Sequence, residues 1–189
     1  MTYVLAIAGS PSHPSRTYGL LEYATKILQT EGFETEIISV RDLPAEDLVF
    51  GRYDSPALEP VKAKLEKASG VIVATPVYKA SYTGVLKAFL DLLPQRALAG
   101  KIVLPLAIGG TLAHLLAIEY ALKPVLSELR ARHLLGGVYA VDKQLQVQPD
   151  GSLQIEEEID QRLKDALSEF AQSVKTFHPV PQELARAVN

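Results

Sequence analysis

Residues 3–21 read YVLAIAGSPSHPSRTYGLL. The stretch opens on an unbroken apolar run, and apolar residues then recur at Leu20, Leu21, Ala24, Ile27 and Leu28. The run has the pattern of a strand covered on both faces, and the later spacing is one face of a helix. A strand, a polar loop and a helix N-terminus in that order make a ready anion site, because free backbone N–H groups and the positive end of the helix dipole converge on the loop.

The same alternation runs down the chain. A helix is expected over residues 15–31, ended by Gly32, and a partly alternating strand, suited to an edge, over 33–40. Residues 41–55 form a long polar connection. Ser55-Pro56 supplies an N-cap and first-turn proline for a helix reaching Ala68. The unbroken apolar run 70–75 is a strand, followed by a helix over 82–93 and a strand over 101–108. Pro105 lies inside that last strand, cannot donate to its ladder, and predicts a bulge. A long helix over 114–133, a strand over 134–141 and a closing helix over 155–177 complete the pattern.

Five strands alternating with helices predict an α/β fold: a doubly wound, five-stranded parallel sheet of order 2-1-3-4-5 with helices on both faces. A single domain is expected over residues 1–175, with 176–189 a proline-punctuated C-terminal arm or mobile tail. In that order ligands sit at the carboxyl ends of the first, third and fourth strands. The segments SPSHPSRT, TPVYKASYTG and GGTLAH all fall there.

Composition narrows the chemistry. A net charge of −3, with no run of five basic residues, gives no reason to expect nucleic acid or an anionic membrane as partner. The chain enters a strand directly, and no apolar run reaches membrane-spanning length, so a cytoplasmic protein is expected. The absence of cysteine excludes disulfides, thiolate metal sites and cysteine nucleophiles. With Met1 as its single methionine, the chain is nearly free of sulfur, which fits either drift in a small protein or synthesis when the cell lacks sulfur. His13, His114, His133 and His178 show no metal-ligand spacing, and there is no G-x-S-x-G elbow, so neither a metal site nor hydrolysis is expected.

The first loop has neither the G-x-x-x-x-G-K-[ST] nor the G-x-G-x-x-G spacing. Its donors are the hydroxyls of Ser10, Ser12, Ser15 and Thr17 and the guanidinium of Arg16, which can fork two phosphate oxygens. Ser10-x5-Arg16-Thr17 also resembles the phosphate loop of low-molecular-weight tyrosine phosphatases, in which cysteine takes the first position. Serine there has no evident base to activate it, so the loop is expected to grip a phosphate and leave it intact. Pro76, Val77 and Tyr78 present an apolar residue and an aromatic ring suited to a flat heteroaromatic ligand. Tyrosines at strand ends also serve simply to cover a core. Gly109, Gly110 and Thr111 permit close backbone approach and supply N–H donors, although a Gly-Gly pair alone is only a turn signal.

Four segments carry a family resemblance: GSPSHPSRTYGLLEYA (9–24), DSPALE (54–59), ATPVYKASYTGVLKAFLDLLPQRALAGK (74–101) and GGTLAHLLAIEYALKPVL (109–126). They resemble the NADPH-dependent FMN reductases of flavodoxin-like fold, and within them the flavin reductases of sulfonate assimilation. The resemblance covers most of the first 140 residues, the remainder agreeing only in pattern. It implies FMN and NADPH as redox partners, a homo-tetramer, and delivery of reduced flavin to an FMN-dependent alkanesulfonate monooxygenase. Carried onto this chain, Ser10, Ser15, Arg16 and Thr17 would hold the FMN phosphate. Pro76, Val77 and Tyr78 would lie along the isoalloxazine, and Gly109, Gly110 and Thr111 at its pyrimidine edge. No catalytic side chain is implied, because hydride passes between the cofactors. Many relatives carry arginine directly after Gly-Ser-Pro; Ser12 stands there, leaving Arg16 as the loop's single cation.

The family further implies a π-helical bulge at Tyr120, on the tetramer interface near the flavin. A physical hint is independent of it. Pro124 lacks the N–H that would bond the Tyr120 carbonyl, and its ring would clash there in a regular helix. A π-bulge relieves both problems, as does a simple proline kink. Other readings of the same residues are an FMN electron carrier without nicotinamide turnover and an FMN-dependent quinone or azo reductase.

Overall fold

The computed structural model describes residues 1–149 and 152–178. Strand β1 (Tyr3–Ala8) is fully buried and lies between β2 (Glu34–Ser39) and β3 (Gly70–Pro76), parallel to both. Beyond β3 come β4 (Ile102–Gly109) and then two short segments, β5 (His133–Leu134) and β6 (Val138–Val141), each parallel to β4. The order is 2-1-3-4-5 with the fifth position divided, the arrangement of flavodoxin-like folds.

Successive side chains of a strand point to opposite faces. Val4, Ala6 and Ala8 of β1 therefore join one core with helices α1 (Arg16–Thr30) and α6 (Glu157–Phe177), through residues such as Leu21, Leu28, Leu167 and Phe170. Leu5 and Ile7 join the other, built by α3 (Glu59–Lys67), α4 (Gly84–Asp91) and α5 (Lys123–Glu128), with Leu65, Phe89 and Leu126 fully covered.

Pro105 produces its bulge in the neighbouring strand. β4 is continuous and pairs with β3 throughout, Val73 facing Pro105. On the other side Val103 faces Leu134 and Leu106 faces Val138, so the edge strand inserts one extra residue opposite the proline. Gly137 closes the bulge at φ +85°, and a Cβ there would lie 2.5 Å from the Pro105 carbonyl oxygen.

Three further expectations are corrected. Instead of one helix over 114–133, the chain forms a 3-10 turn at Leu112–His114, a π-helical turn at Ile118–Leu122, and then α5. The Lys123 N–H reaches back to the Ile118 carbonyl, so the π turn spans the place where Pro124 cannot donate. The polar connection 41–55 contains α2 (Ala45–Val49). An antiparallel hairpin, β7 (Leu145–Val147) and β8 (Leu153–Ile155), fills a stretch to which the sequence assigned no element, and Ile155, expected to open the closing helix, ends β8 instead. Of the expected arm, residues 179–189 lie outside the described residues.

Candidate functional site

At the carboxyl end of the sheet lies a cavity of about 270 Å³. The loop after β1 supplies Ser10, Ser12, Pro14, Ser15, Arg16 and Thr17; β3 and its loop supply Pro76, Val77 and Tyr78; β4 and its loop supply Ile108 and Gly110; the residue following β6 is Asp142.

The first loop wraps the N-terminus of α1. Ser15 is its N-cap, the side-chain oxygen accepting from the Tyr18 N–H at 3.1 Å. The amides of Arg16 and Thr17, in the first turn, have no intrahelical acceptor and are available to an anion. The Ser10 hydroxyl is buried and accepts from the Ser12 amide at 3.2 Å, folding the loop back on itself. Hydroxyls, free amides and one guanidinium thus line the cavity together, the donor set a phosphate requires.

Two buried threonines hold the first and second loops against each other. Thr83 caps α4 by accepting from the Leu86 amide, and its hydroxyl donates to the Gly9 carbonyl. Thr75 accepts from the Thr83 amide at 3.2 Å and donates to the Pro76 carbonyl at 2.9 Å. Gly9 is packed so closely that a Cβ would stand 2.8 Å from a Leu86 methyl and 3.1 Å from the Ala74 carbonyl oxygen. Neither threonine was singled out by the sequence, where each reads as an ordinary strand-end or cap residue.

Beyond Pro76, the Val77 amide donates to the Ile108 carbonyl at 2.7 Å, joining the second loop to the third. Tyr78 and Ser81 then exchange backbone hydrogen bonds across a tight turn, with Lys79 and Ala80 at φ +51° and +66°. Two consecutive non-glycine residues in the left-handed region cost about 1–2 kcal/mol each. The surrounding structure therefore dictates the turn, which holds Tyr78 half exposed at the cavity mouth.

Gly109 and Thr111 stand apart from the cavity. Gly109 is required by Tyr139: a Cβ would fall 1.9 Å from that hydroxyl, which donates to the Thr111 carbonyl at 2.6 Å. Burial, and secondarily the Asp142 carboxylate, push the Tyr139 hydroxyl above its ordinary pKa, keeping it a donor. Thr111 lines a neighbouring cavity of about 450 Å³ that shares Gly110 with the first. Tyr120 projects from the π turn and is 79% exposed. The structure thus brings eight of the ten expected contact residues to one cavity and leaves Gly109 and Thr111 behind it.

Asp142 is the addition that sequence reading missed. Its Oδ1 stands 4.0 Å from Arg16 Nη1, both side chains being half exposed. Arg16 is held from a second side as well, Nε donating to the Leu145 carbonyl at 3.1 Å. The signal was available: Asp142 directly follows the last parallel strand, at the same edge of the sheet as the three loops.

Comparison with known proteins agrees with this geometry. A family model described as NADPH-dependent FMN reductase matches residues 2–146. The FMN reductase (NADPH) of Escherichia coli (strain K12) is 50% identical over 171 residues, spanning 90% of this chain and 89% of that protein. The protein of the same name from Pseudomonas putida (strain KT2440) is 50% identical over 169 residues, covering 88% and 85%. Among solved structures, the apo form of an NADH:FMN oxidoreductase (EMOB) superposes with a TM-score of 0.83 at 39% identity, covering 96% of this chain and 98% of that one.

Proposed function

The chain belongs to the NADPH-dependent FMN reductase family, and from that membership we propose that it delivers reduced flavin to a flavin-dependent monooxygenase of sulfur assimilation. It is an NAD(P)H:FMN oxidoreductase, with FMN and NADPH as its redox partners. The cavity at the carboxyl ends of β1, β3 and β4 carries the reading for this chain. Its polar end offers the hydroxyls of Ser10, Ser15 and Thr17, the α1 amides and Arg16 to the FMN phosphate. Pro76, Val77 and Tyr78 offer an apolar and aromatic edge to the isoalloxazine, with Gly110 toward its pyrimidine side. A volume of about 270 Å³ suits part of such a ligand rather than all of it, since sites that enclose one run from roughly 300 Å³ upward.

When bound, FMN supplies the redox chemistry by accepting a hydride from NADPH. The chain grips, orients and shields the reactants, and no side chain is asked to move a proton. With one half-exposed cation at the phosphate, FMN is held as a reactant that leaves after reduction. An alkanesulfonate monooxygenase is the proposed recipient. The near absence of sulfur in the chain supports that setting, because such a protein is cheap to make when sulfur is scarce. A cytoplasmic homo-tetramer is the proposed form.

The test is an absorbance spectrum of the purified protein, followed by NADPH oxidation at increasing FMN in air. Little bound flavin, with turnover that saturates as FMN is added, is expected. A stoichiometrically yellow protein whose turnover ignores added FMN would refute export of reduced flavin. Sulfite release on adding an alkanesulfonate monooxygenase and its sulfonate then tests the recipient.

A further inference from the structure

Where Asp142 stands is unusual for a phosphate site. It lines the same cavity as Ser10, Ser12, Ser15, Arg16 and Thr17, and so brings a carboxylate to the place where the ligand's dianion must go. It faces the cavity's single guanidinium at 4.0 Å on one side. On the other, its Oδ2 lies 4.0 Å from where a Cβ of Gly110 would be. The formal charge of the cradle is therefore zero: one cation, one anion and neutral donors. Arg16 does not need Asp142 for its orientation, because the Leu145 carbonyl already anchors Nε.

We infer that Asp142 is an affinity-limiting residue, which weakens the grip on the FMN phosphate so that reduced flavin can leave. The inference rests on the reading of this cavity as the FMN site. Its physical basis is direct. Two negative groups in a half-exposed cleft repel with an energy set by an effective dielectric between that of water and that of a dry interior. The repulsion is felt by a phosphorylated flavin and not by its dephosphorylated analogue. A reductase that exports its product gains from such a residue, since a flavin held tightly through its phosphate would leave slowly and limit turnover.

The experiment is a pair of binding titrations, FMN and riboflavin, each followed by flavin fluorescence, on the wild type, Asp142→Asn and Asp142→Glu. Asp142→Asn is expected to bind FMN about tenfold more tightly, with riboflavin affinity unchanged within roughly twofold. Asp142→Glu keeps the charge and is expected to keep the weak FMN binding. Thermal unfolding of both variants checks that the fold is intact. FMN affinity in Asp142→Asn that is unchanged or lower would overturn the inference and make Asp142 a support for Arg16. Equal tightening for riboflavin would overturn it too, placing the effect away from the phosphate. An Asp142→Asn variant that still binds FMN no better than riboflavin would fail earlier, refuting the phosphate assignment of the cavity itself.

Discussion

Arg16 carries the positive charge of the loop after β1, and its two contacts, with Leu145 and Asp142, reach residues more than a hundred positions away. A side chain tethered in this way loses little further freedom when it meets a phosphate, which favours a forked, charge-assisted contact. Such contacts are worth about 1.5–3 kcal/mol. Arg16→Ala is accordingly expected to raise the FMN dissociation constant roughly ten- to hundredfold while leaving riboflavin nearly unaffected. Paired fluorescence titrations read this, and unchanged FMN affinity would sink the phosphate-loop assignment. The serines were legible as donors from the sequence alone, because a hydroxyl-rich loop between a strand and a helix has few other uses. For Asp142 the sequence placed the residue at the right edge of the sheet, after the last parallel strand, but its pairing with Arg16 was not legible, because that contact is made across the sheet.

Among the elements, β4 and its edge neighbours show how one residue propagates. Pro105 removes one donor from a central strand, and β5 and β6 absorb the loss by bulging through Gly137. Gly137→Ala faces two penalties: a positive φ that alanine resists, and a Cβ 2.5 Å from the Pro105 carbonyl oxygen. A loss of about 2–4 kcal/mol is expected, read as a lower urea midpoint at unchanged m value. A variant as stable as the wild type would show that the edge strand re-pairs freely. Because β6 also delivers Asp142 to the cavity, a slip in its register that withdraws the carboxylate should tighten FMN relative to riboflavin. The need for a bulge could be read from Pro105. Which strand yields could not, because a central strand is held on both sides and the edge on one.

At the scale of the whole molecule, the described surface leaves apolar stretches uncovered, one at Val49, Phe50 and Tyr53 and a longer one after β4. Leu112, Leu115, Leu116 and Tyr120 are 63%, 45%, 53% and 79% exposed, at helical spacing along the 3-10 and π turns. Contiguous exposed apolar surface of this kind marks an interaction face. The homo-tetramer proposed above would make its contact there. Sedimentation velocity is expected to show a tetramer for the wild type and smaller species for Tyr120→Ala. Deleting Tyr120 shortens the π turn by one residue while leaving Pro124 in place, and is expected to alter NADPH turnover with FMN; an unaltered tetramer with unaltered turnover would remove the residue from both roles. Among the described residues no helix is long and apolar enough to cross a membrane.

What the sequence by itself determined is whatever periodicity and local chemistry record. That includes the parallel doubly wound order, the donor set after β1, the aromatic edge after β3 and the backbone conflict between Pro124 and Tyr120. These are legible because strands buried on both faces and amphipathic helices each impose their own spacing on nearby residues. Tertiary structure alone decided which groups meet. It set Gly109 beneath the Tyr139 hydroxyl, used Thr75 and Thr83 to lock two loops together, and brought Asp142 to Arg16. Most of those contacts join residues far apart in the chain, brought together by the register of neighbouring strands. That register is set by hydrogen bonding and packing across the sheet, and a one-residue slip in it would reverse which side chains face the site.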